Sequence, residues 1–312
     1  MRVLVTGANG FVGSALCPYL VGLGHEVVPA VRRPTGIPNE IIVHDEVSWK
    51  AALDGCDSVI HLAGRAHVML ENELDPLQAF RTNNVTTTKY IANYAFEVGV
   101  RRFVFMSTIK VNGQETAQGF SFQPGDLAGP KDPYAISKWE AEQCLLEIAL
   151  KTGLEVVIIR PPLVYGPGVK GNFKALIKMV KSGVPLPLGA LHNRRSMIGL
   201  DNLINFTMLC ANIDASPCAK DQVFLISDGE DVSTPELLRK VAKAYRCSLR
   251  LFPVPLGLIR LTARFTGKVS LAERVIGSLV IDNSKARLLL GWHPSISMDE
   301  QLQKMALLES IV

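Results

Sequence analysis

Val3-Leu4-Val5-Thr6-Gly7-Ala8-Asn9-Gly10-Phe11-Val12-Gly13 is the stretch that decides the fold. A β-branched run passes directly into Gly-x-x-Gly-x-x-Gly and then into apolar residues of helical period at about 11–23. A backbone without side chains lets a dinucleotide pyrophosphate approach, and the free N–H groups of the following helix stabilise its charge. Gly7, Gly10, Phe11, Val12 and Gly13 are therefore the expected pyrophosphate turn. A glycine triplet alone is weak evidence, but here it ends the first strand of a βαβ unit, the context the motif requires. Pro18 falls inside the helix, where it predicts a kink or a widened turn.

Working outward, Glu26-Val27-Val28, Ser58-Val59-Ile60, Phe103-Val104-Phe105 and Val156-Val157-Ile158-Ile159 read as further buried strands. Helical patterns at about 77–98 and 134–152 lie between them. This alternation predicts an α/β protein with a Rossmann-type, doubly wound parallel sheet covered on both faces. From about 166 the texture changes to loops rich in Pro and Gly, such as Gly166-Pro167-Gly168 and Gly183-Val184-Pro185-Leu186-Pro187. A smaller mixed α/β C-terminal substrate domain is expected there. Asn202–Ala211 resembles another apolar helix and Gln222–Ile226 one more strand of the first sheet, so the partition is discontinuous. Residues 1–168 plus about 197–228 form the expected dinucleotide-binding domain, and about 169–196 plus 229–312 the substrate domain.

Composition narrows the class. The chain has 312 residues, 48% of them hydrophobic and 20% charged, with a net charge of +4. This is the balance of an ordinary globular protein, and no basic run asks for nucleic acid. Six cysteines without Cys-x-x-Cys spacing suggest a reducing compartment and no metal site. Positions 3 to 25 carry no formal charge, yet Gly7, Gly10, Gly13, Gly22, Gly24 and Pro18 break any apolar core of a signal or spanning segment. A cytoplasmic protein is expected.

The end of the second strand selects the dinucleotide. An NAD site usually places Asp or Glu about 20 residues after the glycines, where it accepts hydrogen bonds from the ribose 2′-hydroxyl. This chain has Val31 there, followed by Arg32 and Arg33. Two guanidiniums and no acid favour NADP(H), with NAD(H) the alternative. Asp45 and Glu46, after the third strand, are placed to border the adenine.

Asp132-Pro133-Tyr134-Ala135-Ile136-Ser137-Lys138 opens a helix, with Asp132 suited to the N-cap and Pro133 to the first turn. Tyr134 and Lys138, four apart, share one face. An adjacent ammonium and a positively charged nicotinamide would lower the phenol from its ordinary pKa of about 10, making Tyr134 a general acid/base. Ser107 and Thr108 follow a buried strand at its C-terminal end, where ligands of open α/β sheets bind.

Taken with Asp57-Ser58-Val59-Ile60-His61-Leu62-Ala63, Asn84-Val85, Arg160-Pro161-Pro162-Leu163-Val164-Tyr165-Gly166-Pro167-Gly168 and Leu290-Gly291-Trp292-His293-Pro294, these motifs make the chain similar to the extended short-chain dehydrogenase/reductase family, the NAD-dependent epimerase/dehydratase group, over nearly its whole length. The resemblance implies that Thr108, Tyr134 and Lys138 form a catalytic triad, with Tyr134 relaying the proton and Lys138 holding the nicotinamide ribose. It places Leu62, Ala63 and Asn84 near the cofactor, and Asn172 and Arg195 on the diphosphate of a nucleotide sugar, with Arg194 as a competitor. His67 and Lys110 lie in loops after strands and could face the sugar.

Members of the group begin with hydride transfer at a sugar carbon, usually C4. The 4,6-dehydratases carry an Asp-Glu pair after the catalytic threonine, where this chain has Ile109 and Lys110, so elimination is not expected. The expectation is a reductase of a UDP-4-keto-6-deoxy-hexosamine in bacterial surface polysaccharide synthesis. Alternatives are a UDP-hexose or UDP-N-acetylhexosamine 4-epimerase and a non-catalytic dinucleotide sensor. Resemblance also implies a homodimer through the helices at 77–98 and 134–152. In 255–268, apolar residues alternate with Arg260, Arg264 and Lys268; the segment reads as a helix lining the substrate domain in preference to a membrane-surface contact.

Overall fold

The β-branched runs become strands because both of their faces are covered. The computed structural model describes residues 1–65, 75–267 and 269–311. Its strands are β1 (Arg2–Thr6), β2 (Glu26–Val31), β3 (Ile41–Ile42), β4 (Ser58–His61), β5 (Arg102–Met106), β6 (Glu155–Arg160), β7 (Leu163–Tyr165), β8 (Arg195–Gly199), β9 (Gln222–Leu225) and β10 (Asp231–Val232). Seven of them form one sheet in the order β3-β2-β1-β4-β5-β6-β9, parallel throughout. β2 and β4 flank β1 on opposite sides, so the order in which strands are added switches side at β1, the point where an open parallel sheet leaves a crevice at the C-terminal ends of β1 and β4.

The helices are α1 (Gly13–Gly22), α2 (Glu46–Leu53), α3 (Pro76–Phe80), α4 (Thr87–Glu97), α5 (Pro133–Thr152), α6 (Gly171–Lys181), α7 (Leu200–Ala211), α8 (Thr234–Ala244), α9 (Leu256–Phe265), α10 (Val269–Ile276), α11 (Ser284–Leu290) and α12 (Met298–Ile311). Successive strand residues supply the two faces of the large sheet. Val3, Val5, Val104, Val157 and Ile159 pack with α1 and α7 through Leu16, Leu20, Leu203 and Phe206. Leu4, Phe103, Phe105, Val156 and Ile158 pack with α2, α4 and α5 through Leu53, Ile91, Ala141 and Leu145. This period of two, with both sets buried, is why the strands read as unbroken apolar runs.

A smaller mixed sheet, β10-β8-β7, pairs β7 with β8 in parallel and β8 with β10 antiparallel. Tyr165 and Met197 from it join Phe173, Ile177, Leu238, Val241 and Leu302 in a separate core beneath α6, α8 and α12. The fold is thus the expected Rossmann-type α/β architecture with a smaller mixed layer.

Two expectations need correction. The helix anticipated over 77–98 is interrupted: residues Arg81–Thr86 between α3 and α4 are π-helical. The wider turn points Asn84 inward, where its amide is fully engaged, as described below; such insertions recur at functional sites. The segment 255–268 reads as a helix lining the substrate domain; α9 is that helix and turns Ala263 inward, but its Leu258, Leu261 and Phe265 face solvent. Among the described residues, no helix is long and apolar enough to cross a membrane.

Candidate functional site

The glycine turn sits at the crevice and is shaped by close approach. Gly7 has φ +68°, and a Cβ there would lie 2.8 Å from the Ala63 backbone nitrogen, so the turn rests directly on the Leu62-Ala63 strap that leaves β4. A Cβ on Gly13 would stand 2.3 Å from the Gly7 carbonyl oxygen, which fixes α1 tightly against the turn. The Gly10 N–H donates to that same carbonyl at 2.9 Å. The cradle thus fits a dinucleotide pyrophosphate: bare backbone, closely packed, at a helix N-terminus. Phe11 and Val12 complete the turn, partly buried against the sheet core.

A buried relay joins the ends of β1 and β4 to the helices beyond. Thr88 Oγ1 donates to the Asn84 carbonyl at 2.5 Å, so its hydroxyl can only accept from His61 Nε2 at 3.0 Å. His61 Nδ1 then accepts from Thr6 Oγ1 at 2.8 Å, and Thr6 in turn accepts from the Ala63 N–H at 3.0 Å. Burial, reinforced by the charge of Lys138, pulls the imidazole down to about 3. A neutral ring of one tautomer therefore braces the strap. Asn84 Nδ2 donates to the Arg65 carbonyl at 3.1 Å and to Ser137 Oγ at 2.9 Å, while Oδ1 accepts from the Arg65 N–H at 2.8 Å. The π-turn residue thereby ties the strap to α5.

Tyr134 and Lys138 share a face of α5, whose start is fixed by Asp132 Oδ1 accepting from the Ala135 N–H at 2.8 Å. Lys138 Nζ donates to the Met106 carbonyl at 2.8 Å and lies 4.3 Å from the Phe105 ring centroid. Its helix is therefore pinned to the end of β5, two residues before Thr108. Burial lowers the Lys138 ammonium to about 8, against the opposing pull of Glu142. The Tyr134 phenol, its ring tilted against Phe80 with centroids 6.0 Å apart, behaves otherwise than expected. Burial, and then the Asp132 carboxylate, push it above its ordinary value, so the chain's own groups keep it protonated. Thr108 caps the short 3-10 turn Ile109–Val111. Lys110 Nζ donates to Asp132 Oδ2 at 2.8 Å and lies 5.7 Å from the Tyr134 ring, which couples the Thr108 turn to the Tyr134 helix.

Beneath these groups lies a buried network that no motif in the sequence announces. Glu142, fully buried one turn beyond Lys138, accepts from the Ser107 hydroxyl and from Arg160 Nε at 3.0 Å and Nη2 at 2.5 Å. Arg160 Nη1 donates to Asn112 Oδ1 at 2.9 Å, and Asn112 Nδ2 to the Gln123 carbonyl at 2.9 Å. The backbone agrees, with the N–H groups of Ser107 and Ile109 donating to the carbonyls of Ile159 and Pro161 at 2.8 and 2.9 Å. The available signal was the four-residue spacing Tyr134, Lys138, Glu142 on one helix face.

Arg32 and Arg33 leave the end of β2 exposed, and among the described residues neither has an ion pair. Asp45 is the N-cap of α2, its carboxylate accepting from the Ser48 N–H at 2.8 Å, and Glu46 pairs with Lys50 at 2.7 Å. Both carboxylates thus have local structural work. Asn172 is exposed in the first turn of α6, beside buried Phe173. Arg195 is partly buried and donates to the Gly277 carbonyl at 2.9 Å, whereas Arg194 is exposed and pairs with Asp231 at 3.2 Å. His67 lies outside the described residues. Among the described residues, no cluster of His, Cys, Asp or Glu could hold a metal ion.

A parallel sheet with a glycine cradle at its switch point and a Tyr-Lys pair beside it defines a nucleotide-dependent oxidoreductase scaffold. The NAD dependent epimerase/dehydratase family matches residues 3–218, and the chain belongs to that family. It is 38% identical to the UDP-glucose 4-epimerase of Vibrio cholerae over 311 residues, 97% of this chain and 94% of that protein. Its fold is similar to the crystal structure of UDP-N-acetylglucosamine 4-epimerase from Bacillus cereus, with TM-score 0.79 and 18% identity over 99% of each chain. It is also similar to MoeE5 in complex with UDP-glucuronic acid and NAD, with TM-score 0.76 and 25% identity over 100% of this chain and 99% of that one.

Proposed function

We propose that this protein is an NADP(H)-dependent oxidoreductase acting at C4 of a UDP-linked sugar, reducing a 4-keto-6-deoxy-hexosamine for bacterial surface polysaccharide synthesis. The observation that carries the reading is the end of β2: Val31 followed by exposed Arg32 and Arg33, with no carboxylate to meet a ribose 2′-hydroxyl. Two guanidiniums can grip a 2′-phosphate, and a reductase draws on external reductant. Gly7, Gly10, Gly13, Leu62, Ala63 and Asn84 would hold the rest of the dinucleotide, which supplies the hydride when bound.

The chain's own part is to manage one proton. Reduction at C4 leaves negative charge on the oxygen, and a phenol that starts protonated is suited to deliver its proton there. The upward push on Tyr134 fits this direction. Lys138, held by the Met106 carbonyl, places positive charge along the same helix face and stabilises the phenolate left behind. The Thr108 hydroxyl would donate a hydrogen bond to the same oxygen. Asn172 and Arg195 would hold the diphosphate from the smaller layer, and Lys110 would stay with Asp132. Residues 1–168 with about 197–228 would serve the dinucleotide, and the remainder the sugar. For assembly we retain a homodimer through α4 and α5, on which Tyr90 and Trp139 are exposed.

A second reading, a UDP-sugar 4-epimerase using NAD, is favoured by the 38% identity to the Vibrio cholerae enzyme. One experiment separates the two. Purified protein is incubated with NADPH and a UDP-4-keto-6-deoxy sugar, and separately with UDP-hexoses and NAD. NADPH oxidation in the first mixture supports the reductase; isomer interconversion without net cofactor change in the second replaces it with the epimerase.

A further inference from the structure

Helix α9 presents the wrong side to solvent for an ordinary surface helix. Leu258, Leu261 and Phe265, at i, i+3 and i+7, form one stripe and are 53%, 47% and 84% exposed. The opposite side, through Ile259 and Ala263, is the one turned inward: Ala263 is buried and Ile259 partly so. Arg260 and Arg264 flank the stripe, both exposed, with Arg260 also reaching Glu273 at 3.3 Å. Phe252, just upstream, is exposed as well. A helix that keeps large apolar side chains in water forgoes the gain from burying them. Such a patch marks a surface that something covers.

Charge says what kind of surface covers it. From 246 to 267 the chain carries Arg246, Arg250, Arg260 and Arg264, all exposed, and no acidic residue. A second copy docking by a two-fold axis would set this patch against itself, arginine facing arginine. An anionic bilayer complements it instead: the apolar stripe enters the acyl boundary while the guanidiniums remain among lipid phosphates. We propose that α9 is a peripheral membrane-docking helix that lies in the interface of a bilayer containing acidic phospholipid. None of the residues given a role in the reaction above belongs to this stripe, so the inference does not depend on that reaction.

The test is co-sedimentation of the full chain with phosphatidylcholine vesicles, with and without phosphatidylglycerol. The expected result is binding to phosphatidylglycerol-containing vesicles that weakens as salt rises, with little binding to neutral ones. Leu261→Ser/Phe265→Ser should reduce vesicle affinity at least about tenfold, and Arg264→Gln about fivefold. Because these side chains are exposed, both variants should keep the melting temperature and the solution activity of the parent. No binding by the parent chain, equal binding to both vesicle types, or undiminished binding by the double variant would overturn the proposal. Sedimentation equilibrium guards the other outcome: if the double variant dissociates a dimer while the parent ignores vesicles, the face belongs to a second copy and the proposal fails.

Discussion

Arg160 at the end of β6 and Glu142 in the third turn of α5 form a bidentate ion pair, at 3.0 and 2.5 Å, with both side chains out of solvent. Desolvating two charges is costly, and the pair holds because Ser107 and Asn112 use the remaining hydrogen-bonding capacity. Removing one partner leaves the other buried alone. Glu142→Gln is therefore expected to cost about 3–5 kcal/mol, read as a loss of denaturation midpoint. The combined Glu142→Leu/Arg160→Met should be less destabilised than the sum of its single variants, whereas additivity would show that the two side chains act separately.

Tyr134→Phe removes the proton and little else. Turnover should fall by about 10²–10⁴, while dinucleotide affinity, measured by fluorescence titration, stays within about threefold, a factor worth well under 1.4 kcal/mol. Retained turnover would take the phenol out of the mechanism.

Arg32→Ala/Arg33→Ala tests the choice of dinucleotide. A charge-assisted hydrogen bond contributes about 1.5–3 kcal/mol, so the affinity for NADPH should drop about ten- to a hundredfold, with NADH affinity nearly unchanged. Equal losses for both dinucleotides would place the arginines elsewhere than on a 2′-phosphate.

His61 links the strap to acid stability. Its folded value of about 3 lies below the ordinary 6.5, so across that window the unfolded chain binds a proton that the folded chain refuses. Stability is then intact above pH 6.5 and falls as pH drops toward 3, by up to about 1.4 kcal/mol per pH unit from this residue. NMR of the imidazole checks the cause directly: an Nε2-protonated neutral ring should persist well below pH 6, and a midpoint near 6.5 would contradict it.

What could be read from the chain alone follows a physical divide. The large sheet was legible because its strands bury both faces and because Gly7 and Gly13 have no room for a Cβ, constraints written as residue type at short spacing. Tyr134 and Lys138 were legible for the same reason, one helical turn apart. The π-turn at 81–86 was not, since nothing in Arg81-Thr82-Asn83-Asn84-Val85-Thr86 distinguishes it from an ordinary helix until Arg65 and Ser137 arrive as partners for Asn84. Glu142 and Arg160 come from different elements, and their pairing depends on how α5 lies against β6. The outward stripe of α9 was misjudged because periodicity reports which residues share a face but not which face meets water.

The position of β9 has a consequence for biosynthesis. Val157 to Arg160 on β6 hydrogen-bond to Gln222–Leu225, which leave the ribosome some sixty residues later. Until they arrive, a nascent chain shows a bare, apolar sheet border of the kind that recruits stray strands. Translation pauses, or truncation between 170 and 215, should yield insoluble polypeptide for that reason, and the last strand of the large sheet acts as the clasp that ends this vulnerable interval.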